Sequence, residues 1–150
     1  MVKNKKGFTL IEILIVIAII VILATVVVVA LNPTKRFQDA RNARRSTDVQ
    51  SILTAIHQSI VDNNGTMPAG ISTTEQQLGT CTTGGTVTCT TTATACLDMS
   101  TTLATYLKSI PIDPNGTAAL TQYSVVIDAN NLVTVRACGA EAGKVIQISR

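Results

Sequence analysis

The sequence predicts an α+β protein in which a long N-terminal hydrophobic α-helix packs its C-terminal half on a small antiparallel β-sheet head. Three observations predict it. Residues 8–31 (FTLIEILIVIAIIVILATVVVVAL) form an almost purely aliphatic run with one charge, Glu12. Apolar residues then recur from Phe37 to Ile60 at spacings of three, four and seven, the period of an amphipathic helix. Past residue 63, short strand-like runs at 123–128, 132–138 and 144–149 are separated by turn-forming residues. The chain divides accordingly into a short basic segment (1–7), an apolar helix (8–31), its amphipathic continuation (32–62) and a globular head (63–150).

At about 1.5 Å per residue the apolar run spans roughly 36 Å as a helix, enough to cross a hydrocarbon core of about 30 Å. A secretory signal has an apolar region of about 7–15 residues ending in a small-residue cleavage site; this run is longer, and no such site follows it convincingly. An uncleaved single-pass anchor is the simpler reading, but it leaves Glu12 unexplained. A carboxylate inside a membrane helix costs about 2.5–3.5 kcal/mol on insertion scales, so it needs a partner. A cut between Gly7 and Phe8 would create one, an α-amino group four residues away on the same helix face. That amine belongs either to the same chain or to a neighbouring copy.

Residues 5–12, Lys-Lys-Gly-Phe-Thr-Leu-Ile-Glu, resemble the cleavage and methylation signal of type IV prepilins and of the pseudopilins of type II secretion. The resemblance covers about eight residues and extends along the apolar run behind them. It implies the pilin fold, a leader cut after Gly7 by a prepilin peptidase, and N-methylation of the new N-terminal Phe8. It also implies that Glu12 pairs with the terminal amine of an adjacent subunit during assembly. The implied function is a major pilin or pseudopilin polymerising into a helical type IV pilus-like filament. The implied partners are other copies of the chain, the peptidase, an assembly platform with its ATPase, and the membrane before assembly. The precursor would sit in the cytoplasmic membrane with its head outside. Charge alone does not give that orientation, because Lys35, Arg36, Arg41, Arg44 and Arg45 beyond the run outnumber Lys3, Lys5 and Lys6 before it.

Asn32-Pro33 interrupts the helix, since proline lacks an N–H and crowds the preceding turn; a kink or local break is expected at Pro33. The helix resumes, with a strong apolar stripe from Val49 to Ile60, and ends at Asp62-Asn63-Asn64-Gly65, where Gly65 suits a left-handed stop. The basic cluster from Lys35 to Arg45 is read as a solvated or inter-subunit face, offset by Asp39 and Asp48 at helical spacings. Residues 72–105 are threonine-rich and hold Cys81, Cys89 and Cys96, with Cys138 far downstream. No close C-x-x-C pair is present, so an exported head suggests two disulfides. Of three possible pairings, Cys81–Cys89 across the Thr-Gly-Gly-Thr stretch with Cys96–Cys138 is favoured. Residues 98–110 read as a short helix capped by Asp98 or Ser100, with Leu103, Tyr106, Leu107 and Ile110 inward. Pro111-Ile112-Asp113-Pro114 and the strand after it resemble pseudopilin heads. Asn64-Gly65-Thr66 and Asn115-Gly116-Thr117 fit the N-glycosylation pattern, a weak signal here.

Composition narrows the function. Lys3, Lys5 and Lys6 lie before Gly7; without them nine basic residues face nine acidic ones, and the head from residue 63 carries four basic and five acidic side chains. Such a head is no basic nucleic-acid surface, and with two Phe, two Tyr and no Trp it has no platform for stacking bases. A tip or competence pilin that captures DNA or a surface is therefore the weaker alternative, beside an uncleaved anchor. Catalysis is not expected: His57, the one histidine, lies on the amphipathic helix, and no nucleophile–histidine pairing, metal cluster or phosphate loop is evident. Some secretion pseudopilins bind structural calcium, and Asp113 and Asp128 are the acidic residues in suitable loops. Two carboxylates do not make a calcium loop, so no metal and no cofactor are assigned.

Overall fold

The computed structural model describes residues 7–82, 89 and 95–150. Its contacts divide the chain into two compact units, one running to Phe37 and the other Gln38–Arg150.

In the first unit, α1 (Leu10–Leu31) has no buried residue. The helical stretch Leu10–Asp62 holds an 18-residue window of mean hydropathy 3.6, all of it exposed, long and apolar enough to cross a membrane. Within α1, the Thr25 hydroxyl donates to the Val21 carbonyl at 2.8 Å, which satisfies it without a partner outside the helix. Asn32 ends α1 in the left-handed region, with φ 39° and ψ 73°. The cause is local: a residue before proline is driven out of the α region, and asparagine is among the few that tolerate the left-handed one. Pro33 then opens α2 (Pro33–Asp62), where its missing N–H removes no helical bond. The Asn32 carbonyl accepts from the amides of Lys35 and Arg36 at 3.1 and 3.3 Å. Asn32 thus closes one helix and starts the next, and the interruption is a single residue long.

In the second unit, α2 from Gln38 onward lies with a five-stranded sheet: β1 (Gln76–Leu78), β2 (Cys96–Leu97), β3 (Tyr123–Ile127), β4 (Val133–Ala137) and β5 (Ile146–Ser149). The order is β2-β1-β3-β4-β5, antiparallel except for β1 beside β2. The runs read at 123–128, 132–138 and 144–149 are β3, β4 and β5, and the sheet gains β1 and β2 beside them. The two added strands are only two and three residues long and sit in threonine- and glutamine-rich sequence, so no apolar alternation announces them. Val49, Ile52, Leu53, Ala55 and Ile56 of α2 share one core with Leu78, Tyr123, Val125, Val133, Val135 and Ala137 of the sheet, and with Met99 and Leu103. Each fully buried aliphatic side chain contributes about 1.5–3 kcal/mol, so this stripe fixes the packing of the helix.

α2 stops in a Schellman motif: Gly65 N donates to the Ile60 carbonyl and Asn64 N to that of Val61. Asn64, not Gly65 alone, takes the left-handed conformation, at φ 54°. The β3–β4 turn is tied by Asp128, whose Oδ1 accepts from the amides of Asn130 and Leu132, both at 2.8 Å. The helix expected over 98–110 is a run of turns. Leu103 N reaches Met99 O, but Ala104 N and Tyr106 N reach back only three residues, and Asp98 Oδ1 holds Ser100 N in an Asx turn. The β-branched Thr101, Thr102 and Thr105 disfavour helix, and a segment this short does not recover the cost of nucleation. Met99 and Leu103 still reach the core.

Candidate processing and assembly site

Gly7 and Phe8 are exposed, and a Cβ on Gly7 would meet nothing within 4 Å. Thr9 is the N-cap of α1 and Glu12 its third residue, and the two form a capping box. The Glu12 amide donates to Thr9 Oγ1 at 3.3 Å. In return, Glu12 Oε2 accepts from the Thr9 amide at 2.7 Å and from the Thr9 hydroxyl at 2.9 Å. The carboxylate therefore lies at the positive end of the α1 dipole and satisfies a backbone donor that would otherwise be an orphan in lipid. Sequence reasoning looked only to an amine as its partner and missed this one. The signal was present: Thr9-Leu10-Ile11-Glu12 fits the T-x-x-E box ahead of an apolar run. Both donors converge on Oε2, so Oε1 is the oxygen left for a further donor among the described residues.

The basic residues of α2 are placed differently from the expectation. Arg45 is fully buried, and its Nε and Nη2 donate to the two oxygens of Asp113 at 2.5 and 3.0 Å. Its Nη1 donates to Asn42 Oδ1 at 3.0 Å and lies 3.4 Å from Glu141 Oε2. Arg41 makes a second two-pronged contact, to Glu141 at 2.8 and 3.0 Å. Asn42 exchanges hydrogen bonds with the Glu141 backbone in both directions at 3.0 Å. Lys144 pairs with Asp39 at 2.8 Å. Of the expected helical-spacing pairs, Arg44–Asp48 is present at 3.7 Å, while Asp39 turns to a residue far away in sequence. The reading of Arg41 and Arg45 as part of a solvated or inter-subunit face is thus corrected: both bind the head. Arg45 needs the low-mobility, forked recognition that guanidinium gives a buried carboxylate.

The same contacts account for Asp113. Burial pushes its carboxyl up, but hydrogen bonds from Arg45 and the Asn115 amide, with the nearby positive charges, outweigh this and hold it below the usual carboxylate range. The bonds from Arg41 likewise hold Glu141 below its ordinary value. Burial, with the hydrogen bond to Asp48 at 2.8 Å, drives the Tyr123 hydroxyl far above its usual range. Asp128, the other carboxylate weighed for calcium, is engaged by its own turn. His57 is half-buried on α2, with a buried Nε2 that has no hydrogen-bond partner among the described residues.

The disulfides join Cys81 to Cys96 and Cys89 to Cys138, with Cα atoms 5.6 and 4.6 Å apart. This overturns the favoured pairing. Cys96 lies in β2 opposite Gln77 of β1, and Cys81, three residues past β1 and in the left-handed region at φ 58°, is bonded to it. Cys89 instead lies by Ser124 of β3, next to Cys138 beyond the end of β4. The Thr-Gly-Gly-Thr stretch at 83–86 falls outside the described residues. A Glu75 oxygen and the sulfurs of Cys89 and Cys138 lie within 4.8 Å of one another, but the two sulfurs are bonded to each other and offer no thiolate to a metal.

Residues 2–28 match the model of the prokaryotic N-terminal methylation motif, the prepilin-type signal of type IV pilins and pseudopilins. No curated protein and no solved structure matches the chain. With this signal and a long apolar helix leading into an α+β head, the architecture is pilin-like. The motif points to a structural protein that a prepilin peptidase processes and pilus-type machinery assembles. Together with α1, it fits a membrane-anchored precursor that becomes part of a surface filament.

Proposed function

We propose that this chain is a structural subunit that polymerises through α1 into a helical type IV pilus-like filament. Residues 1–7 form the leader. Cleavage between Gly7 and Phe8 exposes an α-amine that is then methylated. The observation that carries the reading is the methylation motif at residues 2–28 running into a helix with no buried residue. Such a surface is stable in lipid or against other copies of itself, and not in water.

Glu12 supplies register. Thr9 holds its carboxylate through Oε2, and Oε1 is presented to an ammonium group from a neighbouring subunit. In an apolar bundle that pair is worth far more than in water, because the unpaired carboxylate carries the full cost of desolvation. Extraction from the membrane then exchanges lipid contacts for helix–helix contacts at little net change in apolar exposure, and the ion pair selects the one axial position that satisfies both charges. The head faces the medium.

Mass spectrometry of filaments sheared from producing cells tests this. The expected species begins at methylated Phe8. Chains found solely in membranes and still beginning at Met1 would identify an uncleaved anchor and end the proposal. Glu12→Ala is expected to insert and be cleaved but to lose most filament growth; normal filaments from that variant would remove the register role.

A further inference from the structure

Ser124, fully buried as the second residue of β3, connects a carboxylate to a disulfide. Its hydroxyl donates to Glu75 Oε1 at 2.6 Å. Cys89 Sγ and Cys138 Sγ lie 3.4 and 3.7 Å from Ser124 Oγ. Glu75 is itself buried, 5% exposed, and Arg136 Nη1 lies 3.3 Å from its other oxygen. Neither Cys89 nor Cys138 is buried. A buried carboxylate is costly and ordinarily serves as a partner or a proton carrier; here it is wired through one hydroxyl to the two sulfurs.

We infer that Glu75, acting through Ser124, is the proton acceptor for closing the Cys89–Cys138 bond during oxidative maturation of the head. The oxidant is a small-molecule or protein disulfide. In the first step the Cys89 thiol loses its proton to solvent and its thiolate attacks one sulfur of that oxidant. A mixed disulfide forms, and the one thiolate released takes up a proton from solvent. In the second, the Cys138 thiol passes its proton to Ser124 Oγ while the Ser124 proton moves to Glu75 Oε1. The Cys138 thiolate attacks Cys89 Sγ, the Cys89–Cys138 bond forms, and the second oxidant thiolate leaves. The proton on Glu75 returns through Ser124 to the departing thiolate by way of solvent. Two protein thiols and one disulfide become one protein disulfide and two thiols. A thiol with a pKa near 8.5 is mostly protonated at neutral pH and unreactive in that form, so an internal acceptor accelerates closure where solvent hydroxide is scarce.

The test uses the full chain in detergent with Cys81→Ser and Cys96→Ser, reduced and then charged at Cys89 with oxidised glutathione. Closure is followed from pH 5 to 9 by acid quench, alkylation and mass spectrometry. At pH 6 Glu75→Gln is expected to close at least about 10-fold more slowly than its parent, with the gap vanishing near pH 9, where Cys138 ionises unaided. Ser124→Ala, which alters no charge, is expected to show the same convergence and carries the comparison if Glu75→Gln does not fold. Equal rates at pH 6 would overturn the inference. A slowing by one constant factor at every pH would also overturn it, because misplaced sulfurs slow closure without regard to pH.

Discussion

Replacing Asp113 with asparagine keeps the shape of its side chain and removes its charge, leaving Arg45 buried as a cation with side-chain amide oxygens and the edge of Glu141 around it. Arg45 and Asp113 both have fully buried side chains. Breaking such a pair from one side costs about 3–5 kcal/mol. Asp113→Asn falls near the lower figure, since Oδ1 can still accept from Arg45 Nη2 and from the Asn115 amide. Arg45→Ala falls near the upper one, because it strands an anion and opens a cavity under α2. Against a domain stability of about 5–15 kcal/mol, either loss is severe, and the midpoint of thermal unfolding should drop by about 10–15 °C for the milder variant. Thermal and urea melts of the detergent-solubilised full chain, followed by circular dichroism, measure the midpoint shift and the free-energy loss. A double-mutant cycle with Arg45→Ala, Asp113→Ala and the pair isolates the coupling. The Asp113 carboxyl is held below its unfolded value of about 3.9. Its stabilisation is therefore fully present above that pH and is lost as pH falls through the folded value. Asp113→Asn should flatten this acid-induced loss. A stability change under about 1 kcal/mol for either single variant, or a cycle with no coupling, would refute the argument that this pair clamps α2 to the head.

Three further outcomes follow from the same geometry. Gly139→Ala places a Cβ 2.9 Å from Asp113 Oδ2 and should destabilise the head by about 1–3 kcal/mol, seen as a lower urea midpoint. Tyr123→Phe removes the hydroxyl that donates to Asp48 and should cost about 1.5–3 kcal/mol, as expected for a hydrogen bond to a charged group, read as a lower urea midpoint. Non-reducing peptide mapping should link Cys81 to Cys96 and Cys89 to Cys138; breaking the longer loop by Cys138→Ser should cost about 4 kcal/mol in the chain-entropy model, more than Cys81→Ser.

What could be read from the sequence was periodic or local. The run at 8–31 and the stripe from Val49 to Ile60 carry their meaning in spacing, because each apolar residue repeats the same instruction as its neighbours. Strands β3, β4 and β5 were legible for the same reason, with turn residues marking their ends. The parts that escaped depend on partners distant in sequence. Arg45 meets a residue 68 positions away and Arg41 one 100 positions away, and nothing in the local composition separates a buried arginine from an exposed one. The cysteine pairing escaped because it depends on how strands distant in sequence come together, two of them too short to announce themselves. The capping box at Thr9 and Glu12 is different: it is local and was readable, and only the search for a charged partner hid it.

The placement of charge and of apolar surface in this chain separates two tasks. The packing that stabilises the head uses α2 from Val49 onward and one face of the sheet, together with the ionic clamp from Asp39 to Arg45. None of α1 is buried, so its aliphatic side chains were not selected for folding of the monomer. A helix so apolar has to be covered by something, and Glu12 restricts what that cover is. Lipid tails would cover its aliphatic residues as well as another helix does, but they offer no proton donor to a carboxylate. In the proposed filament, a neighbouring subunit with a free N-terminal amine would offer both. On the function proposed above, the single charge in α1, a liability for a simple anchor, favours assembly as the lower-energy end state.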